Sequence, residues 1–134
     1  MTAWSYQDLY DKADLVIIAK PISTQDTSEK TILRENISPG VPVVGVSTEF
    51  EISVVMKGDK NLKKATLHHY RFAYPEDKWK IGNGPNFVSF DPKQQQYTRF
   101  LLFLHLESDG RYSPVSGQTD PALFSVLKLD GIAQ

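Results

Sequence analysis

The 134 residues contain no cysteine. That single absence removes disulfides, thiolate zinc sites, iron–sulfur clusters and cysteine nucleophiles together. Surplus charge is also scarce: fifteen Lys and Arg oppose sixteen Asp and Glu, giving a net charge of -1 and a pI near 6.3. Such a balance argues against nucleic acid or another polyanion as a dedicated partner. Long apolar runs are missing, the longest being Leu15–Ala19 and Phe100–Leu104. A membrane-spanning helix needs roughly 18 such residues, so no transmembrane segment is expected. Met1-Thr2-Ala3-Trp4-Ser5 lacks the basic start and apolar stretch of a signal peptide. Two expectations stay open: a cytoplasmic chain, or an exported one whose leader has been removed. What is present suffices for a core. Forty per cent of residues are apolar, and a chain of this mass can bury about two-thirds of its unfolded surface. One domain over residues 1–134 is expected.

Periodicity supplies the elements. Tyr6, Leu9, Tyr10 and Ala13 fall on one helical face, with Ser5 as N-cap and Asp8 three residues on, which predicts a short amphipathic helix over 5–13. Leu15–Ala19 reads as a buried strand closed by Pro21. From Val46 to Lys57 the chain alternates, with Val46, Thr48, Phe50, Ile52, Val54 and Met56 on one phase. A twelve-residue strand of roughly 40 Å must curl to fit so small a domain. Before it, Ser38-Pro39-Gly40 is a type II turn signal, across which residues 31–37 are expected to pair back as an arm. Lys64–Phe72 reads as the next strand, its change of phase suggesting a bulge near His68-His69.

A long connection, 74–86, follows. It carries a helical start at Pro75-Glu76-Asp77 and a turn at Asn83-Gly84. Residues 86–90 read as a short strand and 97–107 as a long one. The inner phase of the long strand is Phe100, Leu102, Leu104 and Leu106, and the helix is the expected lid over Leu101 and Phe103. Asp109-Gly110 marks a tight hairpin, and 122–129 reads as extended. The predicted fold is all-β with one short N-terminal helix. It is a small closed or partly open antiparallel barrel, OB-fold-like (oligonucleotide/oligosaccharide-binding), with a β-sandwich as alternative.

Catalytic signals are thin. His68 and His69 should point to opposite strand faces and so fail to share a metal, and His105 shares a phase with Arg99 and Glu107. Glu49 and Glu51 lie on one strand face with Ser and Lys, which reads as solvated surface rather than a glycosidase pair. Neither a nucleophile elbow nor a phosphate-binding glycine loop occurs. The densest positive region is 57–80, with seven basic residues against three acidic ones and Tyr70, Phe72, Tyr74 and Trp79 among them. Basic groups interleaved with aromatics suit single strands or anionic sugars. The candidate ligand-binding residues are Lys64, Arg71, Tyr74 and Trp79, with no catalytic residue, metal or cofactor implied.

Ala13-Asp14-Leu15-Val16, Met56-Lys57-Gly58, Leu102-Phe103-Leu104, Gly110-Arg111-Tyr112 and Pro114-Val115-Ser116-Gly117-Gln118 resemble a group of uncharacterised bacterial exported proteins, over nearly the whole chain. The order of strands also resembles the TIMP/netrin-like barrels. TIMP-type inhibitors use an N-terminal cysteine that this chain lacks, so protease inhibition does not carry over. The resemblance implies a barrel and an export route, hence a secreted or periplasmic location. The expected function is a non-enzymatic exported binding or interaction module with a protein or glycan partner. The alternatives are a barrel for single-stranded nucleic acid or anionic glycan, and a hydrolase-type enzyme.

Overall fold

The computed structural model describes residues 5–34, 40–74, 87–118 and 123–129. Helix α1 (Tyr6–Lys12) precedes β1 (Leu15–Leu33), β2 (Val41–Lys57), β3 (Lys64–Phe72), β4 (Phe100–Leu106), β5 (Tyr112–Pro114) and β6 (Val126–Lys128). β1 pairs with β2, β2 with β3, β3 with β5 and β5 with β4, and β4 bonds back to β1. The chain is therefore all-β with one short helix, its five strands joined in an OB-fold-like ring. All pairings are antiparallel except β3–β5, a single parallel bridge at Leu67 and Tyr112. β6 shares the edge of β4 with β5.

Alternation decides what faces inward. Leu15, Ile17, Ala19, Phe50, Leu67, Leu102 and Leu104 form the main core, closed by Phe90 and Phe100. Phe50, Phe90 and Phe100 meet edge to face, 5.0 to 6.4 Å between ring centres, the geometry the ring quadrupole favours. The opposite phase of β1 and β4, Val16 and Phe103, packs under Leu9 and Ala13 of the helix. Ser5 accepts from the Asp8 amide and Asp8 reaches back to the Ser5 amide, the expected capping box. At the other helix end the Lys57 ammonium donates to the Tyr10 and Asp11 carbonyls, a cation where the helix dipole favours one.

β1 does not stop at Pro21. It continues to Leu33, in step with β2 at Thr31–Val43, Ile32–Pro42 and Leu33–Val41, so the expected arm begins as the upper end of one long strand. Proline is tolerated because pairing with β4 ends at Ala19 and the register slips between Pro21 and Ser23. Gly40 sits at φ 117°, as the turn signal requires. Turn residues 35–39 lie outside the described residues, as do the readings at 75–77 and 82–86.

Several expected phases are corrected by irregularities. Ala19 pairs with Ile52 but Ile18 with Val54, so Ser53 is an extra residue. The slip turns Val55 inward and leaves Val54 and Met56, 47% and 45% exposed, outside. β3 carries no bulge at His68-His69, its register with β2 being continuous. Leu67 faces the main core while Tyr70 and Phe72 build a second one with Val41, Val43, Leu33 and Phe87 on the other face. Residues 87–90 form no strand, and the strand expected over 97–107 shortens to β4, leaving Leu106 half exposed. The Asp109-Gly110 hairpin forms as expected, with Gly110 at φ 91° and the Glu107 amide donating to the Arg111 carbonyl. Residues 126–128 are extended.

Candidate functional site

The lysine-rich segment is largely consumed by the fold. Lys57 caps α1, and the Lys60 ammonium donates to the Val55 carbonyl at 2.7 Å. Lys64 is exposed at the start of β3, 4.0 Å from Glu49. Glu51 pairs with Lys20 at 3.4 Å, so both strand glutamates sit in solvated ion pairs. Arg71 and Tyr74 lie at the far end of β3, roughly 23 Å from Lys64 along an extended chain. Arg71 and Tyr74 thus stay at one end of β3, and Lys64 lies at the other. Trp79 lies outside the described residues.

Around Arg71 the three long strands run side by side. Lys30 pairs with Val44, and Val44 with Arg71, so Lys30 and Arg71 share one face across the arm. The Arg71 guanidinium makes a two-pronged pair with Asp26, Nε to Oδ1 at 3.0 Å and Nη2 to Oδ2 at 2.9 Å. That hydrogen bonding holds the Asp26 carboxyl below its ordinary value and raises the guanidinium. Ile32 and Tyr74, 42% and 56% exposed, present apolar surface at the same end.

The histidines separate as strand geometry requires. His68 lies with Nε2 2.7 Å from Glu29 Oε1 and Nδ1 3.0 Å from both Glu107 oxygens. A neutral imidazole carries one N–H, so both contacts become hydrogen bonds only with the imidazolium or with a proton on a carboxyl. The Tyr70 hydroxyl donates to Glu29 Oε2, and burial together with Glu29 pushes that phenol up to about 12. This cluster ties β1, β3 and the β4–β5 hairpin together beside the single β3–β5 bridge. His69 points into the core, Nε2 2.7 Å from Thr48 Oγ1, which lies 2.8 Å from Thr24 Oγ1. Burial lowers its pKa to about 4, outweighing the nearby Val88 backbone, and Nδ1 has no well-formed hydrogen bond. His105 reaches Asp14 at 3.2 Å, instead of the expected Arg99 or Glu107. Among the described residues no group of three His, Asp or Glu is placed to hold a metal ion.

Sequence reasoning missed Lys30, Asp26 and Glu29. One signal for Glu29 was available in Gly45, a glycine inside a strand pattern, which marks a bulge or a close approach. Thr27, Ser28 and Glu29 bulge opposite it. A Cβ on Gly45 would stand 2.4 Å from Glu29 Oε1 and 2.8 Å from Thr27 Oγ1, so the missing side chain is the space through which Glu29 crosses β2 to reach His68. No protein-family model and no curated protein matches the chain.

Proposed function

We propose that this protein is a non-enzymatic exported binding module whose contact surface is the arm, where Arg71 and Tyr74 meet Lys30 and Ile32. The observation that carries the reading is the geometry of β1. Among the described residues it pairs on both edges from Val16 to Ala19, and only with β2 from there to Leu33. A rigid ring thereby holds out a long, half-paired strand beside exposed Ile32, Arg71 and Tyr74, and binding residues often sit on segments positioned by such a scaffold. The internal partners of His68, His69 and His105 also favour binding over catalysis, since each imidazole already has a local structural contact. Trp79, the next aromatic after Tyr74 in the basic region, lies outside the described residues. Export rests on the resemblance to exported bacterial proteins, and no helix among the described residues is long and apolar enough to cross a membrane.

The test is capture from a cell-envelope extract by the wild-type chain and by Arg71→Glu, Tyr74→Ala, Ile32→Asp and Lys64→Glu. Loss of the captured species with the first three variants, and retention with Lys64→Glu, is expected. Equal capture by all five proteins removes the arm as the contact surface.

A further inference from the structure

We infer that the unpaired edge of β1 accepts an added strand: an extended peptide with acidic side chains, held by main-chain hydrogen bonds and with carboxylates at Lys30 and Arg34. The inference rests on the binding reading above and names the kind of partner.

The backbone supplies the first argument. An interior strand satisfies its amides and carbonyls on two sides, whereas an edge strand offers alternate groups to any chain of matching geometry. β4 covers β1 only from Leu15 to Ala19. Beyond it, two regular stretches keep step with β2: Ser23–Asp26 opposite Glu49–Val46, and Lys30–Leu33 opposite Val44–Val41. No described residue in these stretches bonds away from β2 through its main chain. An incoming strand would occupy the lane that β4 vacates. The bulge between the stretches breaks the ladder, with the Glu29 amide turned to Thr27 Oγ1 and that hydroxyl donating to the Gly45 carbonyl. The two stretches are therefore where pairing is available.

Charge supplies the second argument. Asp26 is neutralised by Arg71, and Glu29 lies against His68. Lys20 pairs with Glu51. Lys30 and the adjoining Arg34 are exposed, and among the described residues their side chains form no ion pair or hydrogen bond. Among the described residues the charges left over at the arm are thus cationic, and opposite charge across a cross-strand contact selects an acidic partner.

The test uses a capped ten-residue peptide of alternating Glu and Val, a Lys-for-Glu version, and a version N-methylated on alternate backbone amides. Binding to the whole chain is followed by amide NMR shifts and by hydrogen exchange. The Glu peptide is expected to bind and to slow exchange of outward amides between Ser23 and Leu33. The Lys peptide, the N-methylated peptide and the Lys30→Glu/Arg34→Glu double variant should each lose about tenfold in affinity, roughly what one rim charge contact or a few hydrogen bonds is worth. Lys64→Glu should bind unchanged. Absence of protection on β1, equal binding of the N-methylated peptide, or self-association through this edge overturns the inference. If the peptide arms fail while arm variants still lose the captured species, strand addition falls and the binding reading stands. If both fail, both fall.

Discussion

β1 and β2 pass through two surroundings along one ladder. At the barrel end, Leu15, Ile17, Ala19 and Phe50 are wholly buried and β1 is bonded on both edges. At the arm end, Leu33, Val41 and Val43 pack against Tyr70, Phe72 and Phe87, and no described residue pairs with the second edge of β1. The backbone hydrogen bonds are of one kind throughout. What differs is the apolar area removed from water and the number of bonded edges. Stability should therefore concentrate at the barrel end, and recognition at the end that keeps unspent bonding capacity.

Cutting the barrel side should produce the largest effect. Phe50→Ala removes the ring at the centre of the aromatic cluster and should cost about 3–5 kcal/mol by denaturant unfolding. A loss no larger than that of a surface substitution would erase the contrast between the ends. The boundary is probed by pH. His69 lies opposite Val46, where barrel gives way to arm. Unfolded, it titrates near 6.5; folded, at about 4. The unfolded chain takes up the proton first, so stability is full above pH 6.5 and falls as pH drops towards 4, by about 3 kcal/mol in total. His69→Gln should flatten that part of the profile, measured as thermal midpoint against pH. An unchanged slope would place the acid sensitivity elsewhere.

Smaller effects sharpen the arm side. Gly45→Ala must push Glu29 off its position, losing contacts to His68 and Tyr70, for about 1–2 kcal/mol. The penalty should shrink when Glu29→Ala is already present, because neighbouring substitutions that break one contact do not add. Full additivity would show that Gly45 serves another purpose. Arg71→Ala should cost least, about 0–1 kcal/mol, since its pair with Asp26 is half exposed and screened by salt. A larger loss would mean that the arm is stabilised by charge more than by its small apolar core.

Much of the local structure was legible. Ser5 with Asp8 and the spacing of Leu9 and Ala13 placed the helix and its buried face, because those signals act over three or four residues. Phe50 and Ile52 were assigned inward by alternation, and Asp109-Gly110 located its hairpin through glycine's freedom at positive φ. Val54 and Met56 were misplaced because β2 carries two extra residues here, Ser53 and then Met56 itself, and each slip reverses the phase. The candidate site divided in the same way. Arg71 and Tyr74 are near in sequence and stay near in space, whereas Lys64 shares their strand and is carried to its far end. Lys30 and Asp26 come from another strand, with nothing in their own neighbourhood to announce them.

By itself, then, the order of residues determined the helix, the turns and which strands have a dry face, since each depends on neighbours a few positions away. Only the tertiary structure decided how far β1 runs past Pro21, where its bulges fall, and that Glu29 crosses Gly45 to meet His68. Those outcomes depend on what lies alongside: a proline is tolerated only where no partner strand needs its amide, and a bulge settles where two long strands must stay paired while they curve.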